Sequence, residues 1–193
     1  MVYGAIDQKS SKWYTDLAKV LDGIGDTISK YNWLITDSEV YSQDSEYDKY
    51  DTKPYYIKKG NEYVRIPCPE YVFLSGEELK DIVNKGHAQW IWAVLSGFEK
   101  DSGLEQILSQ PLPYADGYKG FWKNPLTMQH PLAEVEIVPW DSSLVLVISK
   151  HKEIVDQFKA AFPKSEDLTD YLRRCGNRED YEELSECVLD PKD

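Results

Sequence analysis

The chain has 193 residues, enough for one domain of ordinary size with a real hydrophobic core and no need of metal or disulfide staples. Its formal charge is 22 − 34 = −12, which disfavours nucleic acid and anionic membrane surfaces and permits a basic protein partner, while solubility alone accounts for it as well. Hydrophobic residues make up 41%, too many for a wholly disordered chain, and no apolar run approaches the ~20 residues of a membrane span.

The first residues, MVYGAIDQKSSKWY, carry no basic region followed by an apolar core, so no signal peptide is expected and the cytoplasm is the default location. Three cysteines (Cys68, Cys175 and Cys187) without a signal peptide argue for thiols over a disulfide framework.

In chain order, a first helix is expected from about Lys12 to Ser29, capped by Ser10 or Ser11, with Gly23 and Gly25 weakening its middle. Tyr31 to Tyr41 reads as a strand. Ser42 to Lys53 interleaves Asp44, Glu46, Asp48 and Asp51 with Tyr47 and Tyr50, and reads as an exposed loop. Tyr55 to Ile57 and Glu62 to Ile66 form two strands across Lys58-Lys59-Gly60-Asn61, a hairpin turn. Tyr71 to Leu74 is a further strand. Ser75-Gly76-Glu77-Glu78 is a capping box that opens a helix ending at Gly86.

Gln89 to Phe98 is the most apolar early strand and is expected to be central. Ser102 to Ser109 is a short helix, and 111 to 131 is irregular, rich in Pro, Gly and aromatics. Glu134 to Trp140 alternates, with Asp141-Ser142-Ser143 as turn and Leu144 to Ser149 as returning strand. Helices follow over Lys152 to Phe162, Glu166 to Arg174 with Ser165 as cap, and Arg178 to Val188. Strands followed by helices indicate α+β, a mainly antiparallel sheet with helices on one face and a helical C-terminus. One domain over 1–193 is expected, with 164–193 a helical appendage.

The search for chemistry finds no Gly-rich phosphate loop, no GxSxG, HExxH or CxxC. His87, His130 and His151 each sit beside a turn or element end, as surface histidines do. Glu134 and Glu136 lie two apart on a strand and would share a face; a hydrolase could use such a pair, and with Asp141 it could hold a divalent cation. A solvated sheet face beside a hydrophobic stripe explains the spacing better. No catalytic residue, metal or cofactor is assigned.

Three segments could bind a protein. Asp44, Glu46, Tyr47, Asp48, Tyr50 and Asp51 combine tyrosine contact area with carboxylates. The final helix presents Glu179, Asp180, Glu182, Glu183 and Glu186. Tyr114 to Trp122 is aromatic, but a loop packing its own rings accounts for it. Trp33, Trp90 and Trp92 fall in strands and are expected in the core.

The order of Asn32-Trp33-Leu34-Ile35, a capped helix, Trp90-Ile91-Trp92-Ala93-Val94, Glu134-Val135-Glu136-Ile137-Val138, the Trp140-Asp141-Ser142-Ser143 turn and a helix ending at Phe162-Pro163 resembles the small acidic immunity proteins of bacterial polymorphic toxin systems. The resemblance spans about Tyr31 to Leu172 and implies a cytosolic protein that blocks a cognate, basic protein toxin. It carries over no site residues. The alternatives are a hydrolase-like enzyme with a site near Glu134 and Glu136, or a non-catalytic adaptor.

Overall fold

The structure, a computed structural model, describes residues 1–8, 15–85 and 88–175. In chain order its elements are β1 (Tyr3–Asp7), α1 (Leu17–Ile24), β2 (Tyr31–Tyr41), β3 (Tyr55–Lys59), β4 (Glu62–Ile66), β5 (Val72–Ser75), α2 (Gly76–Lys85), β6 (Gln89–Glu99), α3 (Leu104–Leu108), β7 (Val135–Trp140), β8 (Leu144–Ser149), α4 (Lys152–Ala161), β9 (Glu166–Asp167) and α5 (Leu168–Cys175). Short 3-10 segments cover Gly25–Lys30, Ser45–Tyr50 and Lys119–Trp122. The class is α+β. Seven strands form one antiparallel sheet in the order β5-β2-β6-β7-β8-β1-β9, and β3 and β4 pair as a separate hairpin.

Strand alternation divides the buried side chains between the two faces of the sheet. On one face Trp33, Ile35, Leu95, Ile137 and Val147 pack under α1, α2 and α4, through Leu17, Leu21, Leu79, Ile154 and Phe158. The other face is covered too. There Val94, Val138, Leu146 and Ile148 meet α5 and the irregular segment 111–132, through Phe121, Trp122, Leu168 and Tyr171. The expected helices on one face are therefore α1, α2 and α4, and the remaining cover lies opposite. α5 and the two-residue strand β9, which pairs with β1, fall inside the segment expected as an appendage and are part of this core. The expected helix Arg178 to Val188 lies outside the described residues.

Local chemistry sets several boundaries. Asp16 caps α1 by accepting from the Lys19 amide at 3.3 Å, so the helix starts later than the expected Lys12. It ends at Gly25, whose φ of 72° lies in the left-handed region that glycine tolerates. At α2 the capping box is formed in full. The Glu78 amide donates to Ser75 Oγ at 3.2 Å and the Ser75 amide to Glu78 Oε2 at 2.8 Å, which holds the Glu78 carboxyl below its ordinary pKa. Asp167 Oδ1 accepts from the Thr169 and Asp170 amides, so α5 begins after Asp167, and Glu166 belongs to a strand. The sequence reading assigns no strand to Tyr3–Asp7, yet β1 lies between β8 and β9.

Candidate functional site

Strand β2 pairs with β6 in regular register up to Thr36↔Val94, then slips, resuming at Glu39↔Trp92. The intervening Asp37 has φ of 52°, a left-handed conformation that Asp tolerates better than most side chains. Such bulges bend a strand and re-aim its side chains. Here the bulge becomes the attachment point of three non-sheet segments.

Asp37 is buried and accepts from three groups with its two oxygens. Its Oδ2 takes the Ala115 amide at 2.7 Å and the Asp116 amide at 3.1 Å, fixing the start of the irregular segment. Its Oδ1 pairs with the Arg65 guanidinium of β4. That guanidinium also lies over the Tyr114 ring, 4.7 Å from its centroid. Burial lowers the Arg65 pKa, but a guanidinium stays charged. Ser38, the next residue, donates to the Tyr50 carbonyl, and its amide donates to Thr52 Oγ1 at 3.1 Å. The bulge thus holds the 3-10 segment after β2, the β3–β4 hairpin and the 114–116 turn together.

Between them lies a cleft of ≈ 240 Å³, lined by Glu39, Lys53, Pro54, Tyr56, Trp92 and Asp116. Lys53 leans toward Asp51 at 3.1 Å and lies 3.9 Å from Glu39. Burial, together with the charges of Asp141 and Glu39, pushes the Asp116 carboxyl above its ordinary pKa. Among the described residues no cation pairs with Asp116 or Asp141.

The hairpin beside the cleft is exposed and rich in tyrosine, and it also carries Lys58, Lys59, Glu62 and Arg65. Of the large hydrophobic side chains exposed among the described residues, all but Met1 lie between Tyr41 and Tyr71: Tyr41, Tyr55, Tyr56, Ile57, Tyr63 and Tyr71. Cross-strand register puts Tyr55 and Ile57 on one hairpin face with Ile66 and Val64, and Tyr56 and Tyr63 on the other with Arg65. Tyr63 is 69% exposed and Tyr55 58%.

The structure divides the residues expected to bind. Asp44, Glu46 and Asp48 are exposed, and Asp44 accepts from the Glu46 amide at 3.0 Å to cap the 3-10 segment. Asp51 is half-buried and faces Lys53. Tyr47 and Tyr50 are a correction. Both are buried, Tyr47 donating to the Ile82 carbonyl at 2.7 Å and Tyr50 packing against Trp90. What reads as an exposed loop is folded back onto α2 and the sheet, because two tyrosine rings bury more apolar surface than the segment could leave in water. The exposed tyrosines lie on the hairpin instead. Glu179, Asp180, Glu182, Glu183 and Glu186 lie outside the described residues.

The acidic pair Glu134 and Glu136 does not form a shared face. Glu136 is fully buried and accepts from the Gln129 amide at 3.0 Å and the His130 amide at 2.8 Å. Burial raises its pKa to about 7 against the pull of those amides and of Lys150. Glu134 precedes β7 and has both oxygens engaged, by Lys150 Nζ at 2.8 Å and His151 Nε2 at 2.9 Å. Burial would raise its pKa, yet these two partners hold it below the ordinary value. Asp141 follows the other end of the strand, on the order of 20 Å from Glu134 at strand rise, so the three carboxylates cannot share one cation.

A different trio, Glu99, Glu134 and His151, brings its donor atoms within 4.8 Å of one another, with Lys150 already neutralising Glu134. Tyr31 lies in the same acidic surroundings. Its phenol is pushed up to about 12, first by burial and then by Glu99, Glu134 and Glu153.

His130 is also a correction: it is fully buried, edge-on to Phe98 at 4.7 Å. Its Nδ1 accepts from the Leu132 amide, so Nε2 carries the proton and donates to the Ile107 carbonyl at 3.1 Å. His151 is half-buried, and His87 lies outside the described residues.

Trp33 and Trp90 are in the core, whereas Trp92 reaches the cleft wall. Tyr114, Tyr118, Phe121 and Trp122 pack largely on one another and on Trp140. No helix among the described residues is long and apolar enough to cross a membrane. Comparison of the chain with protein-family models, with curated proteins and with solved structures finds no match.

Proposed function

We propose that this chain is a protein-binding module that neutralises a toxin, docking a cognate basic protein through the β3–β4 hairpin and acting in the cytoplasm. The observation that carries the docking reading is the concentration of exposed tyrosines on one two-stranded hairpin, fastened to the sheet by a partly buried ion pair. Tyr55, Tyr56, Ile57 and Tyr63 would otherwise leave apolar area in water without return. Tyrosine gives large contact area with few rotamers to lose, which suits an anchor at an interface. The charge of −12 supports a basic partner by long-range attraction, and such attraction accelerates encounter. The toxin-blocking part of the reading rests on the resemblance of the sequence to acidic immunity proteins.

The test is capture of a protein partner from the source cells on the immobilised chain, then co-expression of the two with cell survival as readout. Tyr55→Ser and Tyr63→Ser together strip an exposed ring from each face of the hairpin, and should weaken binding about thirtyfold or more, the loss of the one hot-spot ring of ~2 kcal/mol on the docked face, and abolish protection. Full protection by the folded double variant would remove the hairpin from the interface. Absence of protection by the unaltered chain would remove the toxin reading.

A further inference from the structure

We infer that the cleft at the foot of the hairpin accepts an arginine side chain of the docked partner, held between the rings of Trp92 and Tyr56 and the carboxylates of Glu39 and Asp116. This deepens the docking reading and rests on it for the partner being a protein. Two observations point to a cation, and the size of the cleft limits it to one side chain.

The cleft walls supply two aromatic rings, Trp92 and Tyr56, and a cation over an aromatic face is attracted by the ring quadrupole. The carboxylates are under-compensated. Asp116 has no cationic partner among the described residues, and Glu39 has Lys53 only at 3.9 Å, while Lys53 sits closer to Asp51. The Asp116 carboxyl is raised first by burial and then by the charges of Asp141 and Glu39, so a cation placed beside it would restore its charged form. Size limits the occupant: ≈ 240 Å³ falls below the ~300 Å³ at which sites for drug-sized ligands begin, and suits one inserted side chain.

The position links cleft and patch, since Tyr56 belongs to both. A partner seated on the hairpin face that carries Tyr56 and Tyr63 would therefore border the cleft. The chain already shows the same chemistry next door, where Arg65 lies over Tyr114 and pairs with Asp37. Arginine fits better than lysine, because its planar guanidinium can stack on Trp92 and still fork toward a carboxylate.

The test uses the full ¹⁵N-labelled chain titrated with N-acetyl-arginine amide and, in parallel, with the neutral citrulline amide. The indole resonance of Trp92, assigned with Trp92→Phe, is the readout. The arginine amide should shift it saturably with a dissociation constant on the order of 1 mM, typical of a single side chain. The citrulline amide should not. Asp116→Asn and Glu39→Gln should each weaken the arginine response about tenfold, the loss of one charge-assisted contact. Neither side chain is needed for the fold contacts around Asp37, because the Asp116 contact there is made by its backbone amide. Equal shifts with both amides, no saturable shift, or an unchanged response in both variants would overturn the proposal. The outcome is separable from the hairpin reading: loss of protection in the Tyr55/Tyr63 variant with no arginine response would leave the hairpin standing and dismiss the cleft.

Discussion

Asp37 divides its duties between two oxygens, and this allows its contributions to be separated. Both backbone amides of the 115–116 turn come to Oδ2, whereas Arg65 comes to Oδ1. In Asp37→Asn the side-chain oxygen can keep both amide bonds, and the left-handed backbone is retained at little cost because Asn adopts it readily. Only the ion pair is lost. Breaking a buried pair costs ~3–5 kcal/mol, but Arg65 is partly exposed and its Nε is already buried without a partner, so about 2 kcal/mol is expected. Asp37→Ala loses the pair and both acceptors, leaving the buried Ala115 amide unsatisfied for another ~1–3 kcal/mol. It also places Ala at φ of 52°, adding about 1 kcal/mol. These effects overlap, and ~4 kcal/mol is the expected total. Urea unfolding followed by tryptophan fluorescence measures both variants. Hydrogen exchange should show the 115 and 116 amides protected in Asp37→Asn and released in Asp37→Ala. If Asp37→Ala stays within ~0.5 kcal/mol of the unaltered chain, the bulge is not the fastening described here.

The placement of the tyrosines separates core from surface: Tyr50→Ala should cost ~3–5 kcal/mol, whereas Asp44→Asn, Glu46→Gln and Asp48→Asn together should stay within about 0.5 kcal/mol, both read by chemical denaturation. Glu136 has its pKa raised by burial from 4.5 to about 7, so the folded state holds the proton more tightly than the unfolded chain. The stability this provides is complete below pH 4.5 and is lost as pH rises to about 7, by on the order of 3 kcal/mol at most. Glu136→Gln should remove that slope from the pH–stability profile, and an unchanged profile would refute the assignment. Gly76→Ala should destabilise by roughly 3 kcal/mol or more, because its Cβ would lie 2.1 Å from the Ile28 carbonyl oxygen; a thermal melt equal to that of the unaltered chain would contradict the close approach.

Much of the architecture follows from local rules. Tyr31–Tyr41 and Gln89–Glu99 are legible as strands because β-branched and aromatic residues dominate them, and the Asp141-Ser142-Ser143 turn marks the β7–β8 connection. The Ser75–Glu78 box marks the start of α2. The hairpin turn at Gly60 is equally local, with φ of 66° at the glycine. The candidate site had no such signal. Tyr47 and Tyr50 look like Tyr55 and Tyr63 in sequence, yet the first two are buried and the second two exposed.

By itself the sequence determined the α+β class, most element positions, the acidic charge and the supply of tyrosine, since each depends on residues within a few positions of one another or on composition alone. The tertiary structure decided which tyrosines face water, that Tyr3–Asp7 joins the sheet, that Glu136 is buried while Glu134 pairs with Lys150 and His151, and that Glu39, Trp92 and Asp116 meet in one cleft. The physical reason is the same in each case. Burial depends on which distant strand or segment supplies the opposing surface, and the register slip between Thr36 and Glu39, which brings three segments together, is a property of two paired strands and of neither one alone.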